Sequence, residues 1–252
     1  MLYLTIEREL ILDLFEAASG TRMMCNYMRF GGLAYDLPRE VRGQETTKFL
    51  DELVHERLPK ILDELDYYIS GNEIIRERSI GIGVLTREQA INYSTCGPVL
   101  RGSGVKYDVR KAEPYSYYEH LDFDIPTETA GDVYARYWVR VREMHESLKI
   151  LRQVLPHLKE TVGARTHVDD KPAYAIRVPN GGDAYGRVEN PKGELGYYVM
   201  TQPKGTNPER YHIRAPSFIN LTPLGLMSTN DKIADLVVVL GSIDIVLGET
   251  DR

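Results

Sequence analysis

The spacing of apolar residues in this chain changes from helical to alternating near residue 173 and back to helical near 232, and these changes limit the folds open to it. A helix repeats its face every 3.6 residues and a strand every two, so a switch of period and its reversal predict a helical body that carries a short run of strands. Leu10, Ile11, Leu14, Phe15 and Ala18 form the first helical stripe, with Gly20 as its stop. A second long helix carries Phe49, Leu50, Leu53, Ile61, Leu62, Leu65 and Ile69, with a kink expected at Pro59 and a stop at Gly71. A third sets Tyr137, Val141, Met144, Leu148, Leu151 and Leu155 at alternating spacings of four and three, the pattern of a narrow seam against another helix. From Ala173 the segments 175–178, 185–189, 195–201 and 211–214 alternate as strands, with 204–208 as a hairpin loop. Residues 232–240 return to helix and end at Gly241. The expected class is mainly α with a small antiparallel β insertion (α+β), in one domain over 1–252.

Local signals refine this outline. Residues 23–30 are irregular and rich in Met and aromatics, and Gly31, Gly32 and Pro38 punctuate the chain before the second helix. Thr86 and Gln89 have the spacing of a capping box, which starts a short helix at Arg87 and ends it near Ser94. Residues 96–104 hold three glycines and a proline in nine positions and are expected to be a loop of defined shape. The first helix is already in register at Glu7-Arg8-Glu9 with no capping lead-in, which suggests a chain cut from something longer.

Composition removes several classes. The longest apolar run, 233–245, is interrupted by Asp235 and Asp244 and falls short of the roughly 20 residues a bilayer span requires. The formal net charge is −6 and Lys or Arg never runs to five in a row, so the footprint of a nucleic-acid binder is missing. The start lacks a basic segment followed by an apolar one, as a secretory signal would have. Cys25 and Cys96 lie far apart and read as buried or free thiols of a reducing compartment rather than a disulfide framework.

Few motifs carry chemistry. Gly81-Ile82-Gly83 has Thr86 where a dinucleotide fingerprint needs glycine, and reads as a turn at a strand end. Arg101-Gly102-Ser103-Gly104 lacks the Gly-Lys-Ser/Thr ending of a phosphate loop. His55, His120, His145, His157, His167 and His212 make no metal-binding pair with one another or with a cysteine. Asp235 and Asp244 stand out, because an unpaired carboxylate in an apolar setting costs several kcal/mol to bury. Each is either a helix-end carboxylate paired to an arginine or a group with a task.

The carboxyl end supplies the strongest clue. Asp244, Val246, Glu249 and Arg252 keep the spacing of Asp-Pro-Cys-x-x-Cys-x-x-His, the closing signature of NiFe hydrogenase large subunits. Valine has no lone pair to give, a lone carboxylate replaces soft thiolate poorly, and a permanent guanidinium repels a cation. Further blocks accompany it: Asn26-Tyr27-Met28-Arg29-Phe30-Gly31-Gly32, Gly97-Pro98-Val99-Leu100-Arg101-Gly102-Ser103-Gly104, Gly131-Asp132-Val133-Tyr134-Ala135-Arg136-Tyr137, Lys192-Gly193-Glu194-Leu195-Gly196 and Arg214-Ala215-Pro216-Ser217-Phe218-Ile219-Asn220-Leu221. In this order they resemble the hydrogenase-derived D subunit of complex I-type NADH:quinone oxidoreductase. By this resemblance the chain is expected to end where family members end and to be without their first hundred-odd residues, which carry a His-Pro-Ser-x-His-Gly loop and a tyrosine that approach the quinone.

The resemblance implies a hydrogenase-like helical core and a peripheral-arm subunit on the cytoplasmic side of the membrane. It implies packing against a small iron-sulfur subunit that carries a 4Fe-4S cluster, alongside other peripheral-arm and membrane-arm subunits. Quinone is then substrate in the former metal cavity, and the chain itself holds no cofactor. By resemblance Asp244 is the catalytic and quinone-site acid and Val246 an apolar lining residue. Arg101 is a further quinone-site candidate, against which stands a packing role for its loop. Glu249 and Arg252 are expected to form an ion pair or a terminal anchor. Rival readings are a structural interaction module, a related complex fed by ferredoxin or a deazaflavin, and an active hydrogenase holding nickel.

Overall fold

A computed structural model of the chain describes residues 2–161, 163–168, 178 and 180–251. The strand expected at 175–178 lies almost wholly outside them. The chain divides into two compact units, Met1–Tyr67 with Ser147–Ala175, and Tyr68–Glu146 with Ile176–Arg252.

In the first unit, helix α1 (Leu2–Ser19) ends at Gly20, whose N–H returns to Glu16 O at 2.8 Å in the left-handed conformation that glycine adopts without strain. Two minimal hairpins come next, β1 (Met28–Arg29) with β2 (Gly32–Leu33), and β3 (Glu40–Val41) with β4 (Gln44–Glu45). The second long helix is segmented. Helix α2 (Thr46–Glu52) passes through a π turn (Leu53–Arg57) into α3 (Leu58–Leu65) and a second π turn (Asp66–Ser70). Pro59 has no N–H to give, and the kink expected there is taken up by the wider turn just before it, closed by Leu58 N on Leu53 O. Leu10, Leu12, Val41, Phe49, Leu50, Leu53, Val54, Leu62 and Leu65 are buried. Arg57 grips Glu7 through both Nε and Nη2, at 2.9 and 2.8 Å. Gly32 is required by contact, since a Cβ there would lie 2.1 Å from Thr166 O.

The second unit begins with α4 (Glu73–Glu77), capped by Asn72, and α5 (Arg87–Asn92), which realises the Thr86–Gln89 capping box. Because α4 precedes Gly81-Ile82-Gly83, that turn comes after a helix and not the expected strand. Asp132 Oδ2 accepts Gly81 N at 2.8 Å and Gly81 takes the left-handed φ +73, whereas a Cβ on Gly83 would meet Val239 at 2.5 Å, so backbone conformation explains the first glycine and packing the second. The segment 96–104 also departs from expectation. It contains α6 (Gly97–Arg101), because Gly97 enters at φ +63 and Pro98 sits in the first turn, where its missing N–H costs nothing. Helix α7 (Val109–Ala112) and a 3₁₀ turn (Tyr118–His120) lead to α8 (Val133–Thr161), whose residues from Ser147 onward belong to the first unit. The α8 seam is thinner than its spacing suggests. Val141, Leu148 and Leu155 are buried, whereas Met144 and Leu151 are exposed.

Strands β5 (Gly182–Asn190), β6 (Gly193–Thr201) and β7 (Pro208–Arg214) form an antiparallel sheet in that order. The turn between β6 and β7 contains the expected 204–208 loop except Pro208, which opens β7. Helices α9 (Pro216–Leu221), α10 (Leu224–Met227), α11 (Ile233–Ile243) and α12 (Leu247–Asp251) complete the unit. Helix α11 runs through Gly241. It ends instead at Asp244, which takes φ +59 and donates its N–H to Gly241 O at 3.1 Å. Asp is among the few residues that enter this region at modest cost. Leu85, Ala90, Val99, Leu100, Val133, Met227, Val239 and Ile243 form the core that fixes α11 in place. Among the described residues no helix is long and apolar enough to cross a membrane. The architecture is the expected helical one with small antiparallel sheets.

Candidate functional site

Four segments distant in sequence meet around the carboxyl end, and Asn220 is their junction. From α9 its Oδ1 accepts Cys96 N at 2.9 Å, and its Nδ2 donates to Cys96 O at 3.1 Å and to Lys192 O at 3.3 Å. The approach is close enough to exclude side chains. A Cβ on Gly97 would stand 2.3 Å from Lys192 O, and one on Gly193 would stand 2.6 Å from Cys96 Sγ. Burial pushes the Cys96 thiol up, with Arg214 opposing, so the sulfur stays protonated and inert at neutral pH.

The tail is docked onto this junction. Ser217 Oγ accepts Val246 N at 3.2 Å and hydrogen-bonds Glu249, whose Oε1 also accepts Ser217 N at 3.0 Å. Asn190 Nδ2 reaches Glu249 Oε2 at 3.3 Å. Glu249 is thus the expected terminal anchor, with Ser217 and Asn190 as its partners; Arg252 lies outside the described residues. Both Glu249 carboxylate oxygens are therefore committed to hydrogen bonds. Among the described residues no group of three or more His, Cys, Asp or Glu side chains could hold a metal ion.

Asp244 sits at the end of α11 with its side chain 48% exposed. Its Oδ2 bonds the Lys192 ammonium, and Arg140 Nε stands 3.8 Å away. Arg140 also donates to Ile243 O and Arg136 O, both at 3.1 Å. One turn earlier in α8, the fully buried Arg136 donates to Ser242 Oγ at 2.9 Å, Gly131 O at 2.8 Å and Gly83 O at 3.0 Å. Burial, then the like charge of Arg140, lowers the Arg136 guanidinium to about 10, still cationic at neutral pH. Two arginines of α8 thus hold the carbonyl end of α11, where helix dipole and charge agree. Val246, beside them, is exposed.

Arg101 is elsewhere in the unit and buried. Its Nε meets Glu143 at 2.6 Å, and its Nη1 meets Glu189 at 2.9 Å and Tyr107 O at 3.0 Å, with Asp108 at 3.7 Å. This is the packing role weighed against quinone contact. Burial raises the Glu189 carboxyl, and Arg101 only partly offsets it. Burial also pushes Asp108 upward, but the hydrogen bond and charge of Arg110, then Arg101, hold it below the ordinary carboxylate range. Asp235 takes the structural option, paired with Arg78 at 2.9 Å and accepting Lys232 N at 3.1 Å.

Sequence reasoning singled out Asp244 and Val246 but gave Lys192, Asn220, Ser217, Arg136 and Arg140 no task. All but Arg140 stand inside the quoted blocks. The available signal was the combination of Lys192-Gly193 with Gly97, since paired glycines far apart in sequence mark a close backbone approach.

The whole chain, residues 1–252, matches the family described as respiratory-chain NADH dehydrogenase, 49 Kd subunit. It is 53% identical over 251 residues to the D 1 subunit of NADH-quinone oxidoreductase from Roseiflexus sp., covering 98% of this chain and 64% of that protein. To the D 2 subunit from Herpetosiphon aurantiacus it is 48% identical over 248 residues, with 98% and 64% covered. To the D subunit from Dehalococcoides mccartyi it is 46% identical over 253 residues, with 100% and 65% covered. The chain therefore spans just under two thirds of the length of these curated relatives. With a match along its entire length, it belongs to the 49 kDa subunit family of respiratory-chain NADH dehydrogenase.

Proposed function

We propose that this chain is part of the D subunit of an NADH:quinone oxidoreductase and contributes Asp244 and Val246 to the place where quinone is reduced. The observation that carries the proposal is the docked tail. A hydrogenase-type frame has kept its walls, pinned through Ser217, Asn190 and Asn220, and presents a half-exposed acid beside an apolar side chain where thiolates would hold metal. A half-exposed acid held beside cationic side chains, with the apolar Val246 two residues on, offers a quinone one polar and one apolar contact. The relatives' names supply NADH and quinone as the reactants of the whole enzyme.

In this reading the electrons arrive from a 4Fe-4S cluster in a small iron-sulfur subunit, and the assembly lies peripherally on the cytoplasmic face of the membrane. Arg101 serves the site at a distance by fixing α6, whose first residue backs Lys192. A structural-module reading is favoured by a separate observation, the exposed Ile233 and Val237 on α11 and Leu247 on α12, which suit a protein neighbour. Substituting Asp244→Asn in the assembled complex separates the two. Quinone reductase turnover reduced at least about tenfold, with assembly intact, supports the quinone site; unchanged turnover leaves only the module.

A further inference from the structure

We infer that Lys192 is the positioning residue for the Asp244 carboxylate, holding Oδ2 so that Oδ1 is presented to a quinol hydroxyl; the inference rests on the quinone-site reading above. Both cations near Asp244 meet the same oxygen, Oδ2. Among the described residues Oδ1 is engaged by neither. A carboxylate oxygen accepts and cannot donate, so its complement is a hydroxyl, which quinol has and quinone lacks.

The two cations are not equivalent. Arg140 spends its Nη atoms on the carbonyls of Arg136 and Ile243 and stands 3.8 Å from the carboxylate, whereas the Lys192 ammonium hydrogen-bonds it directly. A lysine chain is long and loses much rotamer freedom when held, so a surface lysine seldom aims another group. Here the chain starts from a fixed backbone. Lys192 N donates to Asn190 Oδ1 at 3.2 Å, its carbonyl accepts Asn220 Nδ2 at 3.3 Å, and Gly97 backs that carbonyl too closely for any side chain. Three elements, β5, α6 and α9, therefore set where the lysine begins. Its side chain is only 18% exposed against 48% for the acid, so the aiming group is sheltered and the aimed group is open.

The test uses the whole complex. NADH-driven reduction of a short-chain quinone is measured beside reduction of ferricyanide, an artificial acceptor that reports intact upstream electron entry. Lys192→Met is expected to lower kcat/KM for quinone about tenfold and to weaken product inhibition by added quinol, with ferricyanide reduction unchanged. Lys192→Arg should recover to within about twofold, and adding Lys192→Met to Asp244→Asn should cost little beyond either alone. Quinone kinetics within about twofold of the parent in Lys192→Met, while Asp244→Asn loses turnover, would overturn the positioning role and leave the quinone site standing. Failure of Lys192→Arg to recover, or independent losses that add in the double variant, would also overturn it. Unchanged quinone kinetics in both single variants would remove the quinone site and this inference together. If Lys192→Met does not assemble, Lys192→Gln is judged by the same criteria.

Discussion

Asn220 clasps Cys96 by both backbone groups, accepting its N–H at 2.9 Å and donating to its carbonyl at 3.1 Å, as a strand partner would. The same amide donates to Lys192 O, so one buried side chain joins α6, the β5–β6 turn and α9. Asn220→Leu keeps the approximate volume and leaves Cys96 N–H and two carbonyls without partners. Each unsatisfied buried group costs about 1–3 kcal/mol, and denaturant unfolding of the full-length subunit should show a loss of at least about 3 kcal/mol.

Two glycines test close approach apart from backbone conformation. Gly20 and Gly97 both have positive φ, but a Cβ on Gly20 meets nothing within 4 Å and one on Gly97 meets Lys192 O at 2.3 Å. Gly20→Ala should cost about 1–2 kcal/mol, the left-handed penalty alone. Gly97→Ala should cost clearly more in the same unfolding measurement, because backbone on both sides must move.

Asp244 closes α11 and carries a carboxylate, and two substitutions separate these tasks. Asp244→Gly keeps the left-handed turn and removes the acid, so thermal unfolding should stay within about 1 kcal/mol of the parent while quinone turnover falls. Asp244→Ala should add a conformational penalty of about 1 kcal/mol to the same loss of turnover.

Arg101→Met leaves Glu143, Glu189 and Asp108 without their shared cation. Removing one partner from a buried ion cluster costs about 3–5 kcal/mol near neutral pH. The penalty should shrink on acidification. Asp108 is held below its ordinary value in the parent, so the stability it contributes is present above the unfolded carboxylate range and is lost as pH falls through its folded value. Glu189 is raised, so its ionisation opposes folding as pH rises through its folded value, and more so without Arg101. Protonating both removes the need for the cation, and parent and variant melts compared at neutral and acid pH should converge. A gap that widens on acidification contradicts the cluster's role.

Period and punctuation carried most of the helices. The first helix with Gly20 behind it, the capping box at Thr86 and the β6–β7 turn all appear where residues no more than a few positions apart decide the conformation, although the buried face of that helix is Leu10 with Leu12 and the predicted stripe residue Phe15 is exposed. The departures share a cause. Glycine and proline in 96–101 looked like a loop because their local preference is against helix, yet a left-handed entry and a proline in the first turn permit one. Gly241 looked like a stop, but α11 gains by continuing two residues until Ile243 reaches the core and Asp244 can turn the chain.

The sequence by itself determined the class of fold, the family, and that the carboxyl-terminal frame is without thiolates, because each depends on residue type and spacing alone. Only the tertiary structure decided that Arg101 is locked among carboxylates while Asp244 stays half open, that Glu249 is occupied by Ser217 and Asn190, and that Lys192 reaches the acid. A charged side chain's task depends on which opposite charge arrives from 40 or more residues away and on how much water it keeps, and neither is encoded in its neighbours along the chain.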